Sequence, residues 1–253
     1  MICASCFPRN SVCMGIGRQG KTSPPLWMIA PGCVLTGSSA GPIARPPGML
    51  ADIDVLVFDV QDTGVRYSSF PLTMLHCMQS CAQAGKTFVV LDRPNPLGGM
   101  QVEGCRPEIL ESDKYVSYGV PQRYALTMGE LAFFLNNEKK VGCDVHVVPM
   151  EHYRREMFFE DTGLVYLPAT PYLPTPDTAL LWAGTGMLEA TALSVGLGTA
   201  CPYEVVGAPW LDGYQLAQAL NVQKLEGILF RPVRFLPTEG KYLGVHAAAF
   251  SSI

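Results

Sequence analysis

The chain has 253 residues, 48% of them hydrophobic and only 16% charged, with a formal net charge of −4. Such a composition supplies a core for one or two domains and offers no basic face for nucleic acid. It also contains no run of 18 or more apolar residues that would span a membrane.

Residues 1–50 differ from the rest. They hold seven Gly, seven Pro and four Cys, and the first acidic residue of the chain is Asp52. This composition predicts an irregular leader without packed elements. Two readings fit it: a disordered leader, or residues translated out of frame, the second being preferred for a reason that follows below. No apolar stretch of the kind an export signal carries is found there. Cys3 and Cys6 form a lone C-x-x-C, with no second pair to complete a zinc site.

Ordered structure is expected from Leu50 onward. Asp54–Val60 (DVLVFDV) is a near-continuous apolar run rich in β-branched residues, the pattern of a buried parallel strand. Residues 67–84 carry Phe70, Met74, Leu75, Met78 and Ala82 at helical spacing, with Cys77 and Cys81 as small core residues, and Gly85 stops the helix. Thr87–Leu91 (TFVVL) is a second buried strand, which completes a βαβ unit. After the loop DRPNPLGG, Thr127 and Glu130 form a capping box at the start of a helix, and Asp144–Met150 is a third strand. The alternation predicts an α/β fold, a doubly wound parallel sheet over residues 51–150. Prolines at 168, 171, 174 and 176 then break the rhythm, and helices are expected over 177–190 and 212–220. Residues 151–253 are read as a smaller α+β domain.

Ligands of an open parallel sheet bind beyond the carboxyl ends of its strands. The first strand runs there into Asp59, Gln61, Asp62 and Arg66, and the second into Asp92, Arg93 and Asn95. These residues are candidates for a binding site; the alternative is that Asp59 and Asp92 cap loops or pair with Arg66 and Arg93. Glu103 precedes Gly104, where the backbone can approach a ligand closely. Glu189 ends an apolar helix, Thr199 closes a Gly-Leu-Gly-Thr turn and Glu204 follows Pro202-Tyr203. All three are further substrate-binding candidates, although spacing alone favours a surface role for Glu189 at its helix end, and Glu204 also reads as a loop carboxylate exposed to water. The four histidines lack metal-ligand spacing, no G-x-S-x-G elbow is present, and no cofactor or metal is expected. Tyr67, Tyr172, Tyr203 and Trp210 could form a sugar-stacking surface, but core packing explains aromatics more simply.

The words DVLVFDVQDTGVRY, FVVLDRPNPLGG, VEG, LTMGELAFFLN, VHVVPM, PYLPTPDTALLWAGTGMLEAT, LSVGLGT, PYEVVGAPWLDG and FLPTEGKY, in that order over residues 50–242, resemble the motif series of the NamZ exo-β-N-acetylmuramidase family. The resemblance implies a Rossmann-like domain joined to a smaller C-terminal domain, with the active site in a cleft. It implies release of N-acetylmuramic acid from the non-reducing end of peptidoglycan fragments by an exported bacterial protein. Glu103, in the V-E-G motif, is then a catalytic carboxylate. Asp59, Gln61, Asp62, Arg66, Asp92, Arg93 and Asn95 shape the sugar site.

The departures are specific. The family's P-E-H-G motif, which carries a second carboxylate, should fall within residues 1–50, and that segment contains no Glu. Its absence is what favours the out-of-frame reading. The usual S-E-G-R-G-T reads Ser194-Val195-Gly196-Leu197-Gly198-Thr199, and S-P-N-M-P-T reads Thr170-Pro171-Tyr172-Leu173-Pro174-Thr175. The family also continues past Lys241-Tyr242. The expectation is therefore a truncated, weakly active or inactive hydrolase whose first parallel strand faces an uncovered edge. Two rival readings are a non-catalytic muropeptide-binding protein and a hydrolase using Asp59, Asp62 and Asp92 with a hard cation.

Overall fold

The computed structural model of the chain describes residues 11–16, 26–28, 34–36, 50, 53–107 and 119–252. The Cys3/Cys6 pair lies outside the described residues. The chain divides into two compact units, Met1–Pro171 and Tyr172–Ile253.

The N-terminal unit is built on a six-stranded sheet of order β3-β2-β1-β4-β5-β6. Strands β4 (Val55–Phe58), β5 (Thr87–Leu91) and β6 (Val145–Val148) are mutually parallel. Their short apolar, β-branched runs bury both faces of β4 and β5, as a parallel sheet requires. Helix α1 (Phe70–Ala84) joins β4 to β5. It starts behind Pro71 and stops where Gly85 takes a left-handed φ of 62° and returns its N–H to the Ala82 carbonyl. Helix α2 (Met128–Glu138) joins β5 to β6. The expected capping box closes it, with Glu130 N–H donating to Thr127 Oγ1 at 3.3 Å and Thr127 N–H to Glu130 Oε2 at 3.0 Å.

Both helices pack on one face of the sheet. Leu56, Phe58, Phe88 and Val90 meet Met74, Leu75, Cys77, Met78 and Cys81 of α1 and Leu131, Ala132 and Leu135 of α2. Val57, Val89 and Leu91 point to the opposite face. Among the described residues the sheet is thus wound on one side, where the sequence pattern led to an expectation of helices on both.

Two further expectations are corrected. The leader was expected to lack regular structure, but β1 (Ser11–Ile16), β2 (Leu26–Met28) and β3 (Val34–Thr36) lie within it. β1 pairs in parallel with β4 from Ser11–Val55 to Met14–Phe58, so the edge of β4 is not open. The second correction concerns the boundary. Residues 151–171 belong with the N-terminal unit rather than with the domain that follows, because Arg155 fastens them. Its carbonyl accepts from Gly99 N–H at 2.7 Å, and its guanidinium bonds Glu130 Oε1 and the Ala125 carbonyl. Ala169 also joins the α1–α2 core.

The C-terminal unit holds α3 (Pro176–Thr185), a 3-10 turn over Gly186–Ala190, and α4 (Gly213–Asn221). The single helix expected over 177–190 changes geometry at Gly186, where glycine favours the helix least. A three-stranded antiparallel sheet has the order β7 (Val205–Ala208), β9 (Ala247–Ser252), β8 (Phe230–Phe235). Gly207 is required in β7, since a Cβ there would lie 2.2 Å from the Ala248 carbonyl. No described helix is long and apolar enough to cross a membrane.

Candidate active site

The loops that leave β4 and β5 carry most of the candidate residues, and they are laced together by buried polar side chains. Asn95 is 3% exposed. Its Nδ2 donates to the Leu126 carbonyl and its Oδ1 accepts from Leu97 N–H, both at 2.9 Å. Gly64, at φ +76°, sits so close that a Cβ would meet Asn95 Oδ1 at 2.2 Å. Gln61 bridges the same two loops through Nε2, which donates to the carbonyls of Asp62 and Pro94. Asn95 and Gln61 therefore spend their polar groups inside the scaffold.

Asp92 does likewise. Its Oδ2 accepts from Thr127 Oγ1 and its Oδ1 from Gly129 N–H, each at 2.8 Å, so the carboxylate sits on the N-terminus of α2. Asp59 pairs with Arg93, Nε to Oδ1 2.6 Å, on a half-exposed surface. Arg66 donates through Nη1 to the carbonyls of Cys105 at 2.7 Å and Val120 at 2.9 Å.

Asp62 is fully enclosed. Tyr124 donates its hydroxyl to Oδ2 and Gly64 N–H donates to the same oxygen. Burial pushes the Asp62 carboxyl up from the ordinary carboxylate range, against the opposing pull of these bonds. Tyr166 lies near it, and burial, then the Asp62 charge, raise that phenol to about 12.

Glu103 stands on a short ladder made of three segments. Val65 pairs with Arg123, and Arg123 pairs with Glu103 through 3.0 Å backbone bonds in both directions. With strands spaced at about 4.8 Å, this places Glu103 roughly 10 Å from Val65, in the loop that follows the carboxyl end of β4. Its side chain is 62% exposed, while that of Arg123 is 9% exposed. Arg123 Nη1 donates to Glu103 Oε2 at 2.7 Å and to Gln101 Oε1 at 2.8 Å, and Nη2 donates to the Leu97 carbonyl. Thus a buried guanidinium fixes one oxygen of an exposed carboxylate. Sequence reading missed Arg123 and Tyr124, adjacent residues that face opposite ways from the middle of the ladder, one toward Glu103 and one toward Asp62.

The remaining candidates lie in the C-terminal unit. Glu189 accepts from the Tyr203 hydroxyl at 2.8 Å, and Glu204 accepts from the buried Thr178 hydroxyl at 2.6 Å, beside the Thr175 cap of α3. Thr199 turns its hydroxyl back to the Gly196 carbonyl. Tyr203 packs with Leu173 and Val195, so its ring is core. Hollows of about 440 and about 460 Å³ occur between α4 and β8, and no candidate residue lines either.

Asp59, Asp62 and Asp92 each face a different partner, and no group of three or more His, Cys, Asp or Glu suited to a metal ion occurs among the described residues. This geometry gives the hard-cation reading nothing to stand on.

The chain was compared with known proteins. It is 40% identical over 202 residues to the peptidoglycan beta-N-acetylmuramidase NamZ of Bacillus subtilis (strain 168), covering 78% of this chain and 48% of that protein. The chain therefore spans about half the length of this relative. Two crystal structures of DUF1343 family proteins from Bacteroides fragilis NCTC 9343 share its fold. One has a TM-score of 0.78 at 37% identity, covering 82% of this chain and 55% of that one. The other has a TM-score of 0.70 at 25% identity, covering 83% and 56%. The N-terminal part of the family described as exo-beta-N-acetylmuramidase NamZ matches residues 40–177, its C-terminal part matches residues 180–251, and the chain belongs to that family.

Proposed function

We propose that this chain is a NamZ-type glycoside hydrolase that releases N-acetylmuramic acid from the non-reducing end of peptidoglycan fragments, with Glu103 as its catalytic carboxylate. The observation that supports this reading most is the exposed Glu103 carboxylate, held by buried Arg123, which pairs with Val65 in the loop that follows β4. Arg123 engages Oε2, which leaves Oε1 to meet a ligand. An ion-paired, pre-oriented carboxylate suits the stabilisation of a developing sugar cation, or the activation of water, better than it suits proton donation. The half-exposed Asp59–Arg93 pair is the other candidate group open to a saccharide. Gln61, Asp62, Arg66, Asp92 and Asn95 act from behind, by fixing the loops on which these groups stand. Glu189, Thr199 and Glu204 hold the C-terminal unit in the same indirect way.

On this reading the N-terminal unit is a Rossmann-like half, which would need a second layer over Val57, Val89 and Leu91 to be doubly wound. Turnover is weak, since glycoside cleavage ordinarily uses two carboxylates and residues 1–50 supply no acid. That same lack favours, as a second reading, a glycan-binding protein without turnover.

The test is chromatographic detection of N-acetylmuramic acid after incubation with a muramyl disaccharide. Slow release that Glu103→Gln abolishes supports the hydrolase. Binding without release, with affinity unchanged in Glu103→Gln, selects the binding protein.

A further inference from the structure

Trp210 lies in the turn between β7 and α4 and is 64% exposed, although tryptophan is rarely left so open. It is not a loose side chain. Its indole N–H donates to Tyr242 Oη at 3.2 Å, and Tyr242 Oη donates to the Ala192 carbonyl at 2.7 Å. Tyr242 adopts a left-handed φ of 61°, which only a few per cent of non-glycine residues take and which persists where surroundings impose it. The neighbouring Lys241 lays its ammonium group on the carbonyls of Glu189 and Thr191. The polar edge of the indole is thus turned onto protein, and its apolar body is left to water. Among the described residues no other ring packs against it.

A fixed aromatic face with the Tyr242 phenol at its polar edge matches one ligand chemistry closely. A pyranose ring has an apolar C–H face, which lies on an aromatic ring, and hydroxyl or amide groups around its edge, which need donors and acceptors. We propose that Trp210, locked by Tyr242, is an aromatic platform on which a pyranose ring of the glycan stacks. The proposal rests on the reading of the chain as a protein of peptidoglycan glycans. It adds to that reading a saccharide contact in the C-terminal unit, formed by residues that unit supplies by itself.

The experiment titrates the full chain with the N-acetylmuramic acid–N-acetylglucosamine disaccharide, followed by calorimetry and by tryptophan fluorescence. Trp210→Ala weakens binding on the order of tenfold, Trp210→Phe less, and Tyr242→Phe by a few-fold, because it keeps the ring but removes the hydroxyl that orients the indole. Thermal midpoints stay close to that of the original chain, since these side chains are at the surface. If Trp210→Ala is misfolded, Trp210→Phe and Tyr242→Phe decide. Binding by the original chain that none of the three variants weakens overturns the platform and leaves the functional reading intact. Absence of both binding and release by the original chain overturns both together.

Discussion

Removing the two partners of the Arg123–Glu103 pair one at a time should give very unequal costs. Glu103→Gln changes a side chain that is 62% exposed. The amide oxygen still accepts from Arg123 Nη1, and Arg123 keeps Gln101 and the Leu97 carbonyl. The pair is open to solvent on its Glu103 side and Arg123 keeps an oxygen acceptor there, so the loss should be about 1 kcal/mol. Arg123→Leu removes a side chain that is 9% exposed. Leu97 is 0% exposed, so its carbonyl loses a donor that water does not replace, at about 1–3 kcal/mol. The guanidinium bonds to Gln101 and Glu103 go too, while the backbone pairing of residues 103 and 123 stays, which brings the total to about 2–4 kcal/mol. Urea denaturation of both variants reads the difference as a shift in midpoint at constant slope. Equal destabilisation by the two substitutions, or a cost under about 1 kcal/mol for Arg123→Leu, would refute the picture of a buried anchor beneath an exposed carboxylate. The asymmetry has a functional use. It makes Glu103→Gln a folded variant, so that its effect on activity reports chemistry.

Other consequences can be measured in the same way. Burial raises the Asp62 carboxyl, so the folded state holds that proton more tightly than the unfolded chain does. Stability carried by this group is therefore present at low pH and lost as pH rises from the unfolded value of 3.8 through the folded one. Asp62→Asn should then raise the melting temperature at neutral pH and flatten its pH dependence, and a lower neutral-pH melting temperature would speak against it. Gly129→Ala puts a Cβ 2.5 Å from Val147 Cγ1 and 3.0 Å from Asp92 Cγ, and thermal unfolding should show a loss of about 1–3 kcal/mol. Thr127→Ala removes both the α2 cap and a bond to Asp92, and should cost about 1–2 kcal/mol by urea titration.

The local chemistry of the sheet and its helices was legible in the sequence. VLVF and TFVVL announce buried parallel strands, and Thr127 with Glu130 announces the cap of α2. β1 was legible as well but overlooked: Val12, Met14 and Ile16 alternate with small residues inside a segment whose overall composition suggests irregularity. The end of the N-terminal unit was not legible, because residues 151–171 have no periodicity and are held by single long-range bonds from Arg155. β8 and β9 escaped notice because Ala247–Ser252 is short, small and without strong strand propensity. Pairing on both sides makes it the central strand.

The candidate site divides along the same line. Asp59, Asp92 and Glu103 stand out as acids at strand ends and turns, yet their partners follow from contacts distant in sequence. Asp59 goes to Arg93, Asp92 to Thr127 and Gly129, and Glu103 to Arg123. Nothing in Pro121-Gln122-Arg123-Tyr124 marks the arginine as buried. Its role exists only once residues 103, 123 and 65 are brought side by side.

One measurement bears most directly on whether Glu103 is the carboxylate of a muramidase. Residues 1–49 are replaced by the corresponding N-terminal segment of the Bacillus subtilis relative, and release of N-acetylmuramic acid from the muramyl disaccharide is compared with and without Glu103→Gln. The chimera should release the sugar orders of magnitude faster than the original chain, and Glu103→Gln should silence it while leaving it folded. A folded chimera that releases nothing, or one whose release survives Glu103→Gln, would contradict the assignment.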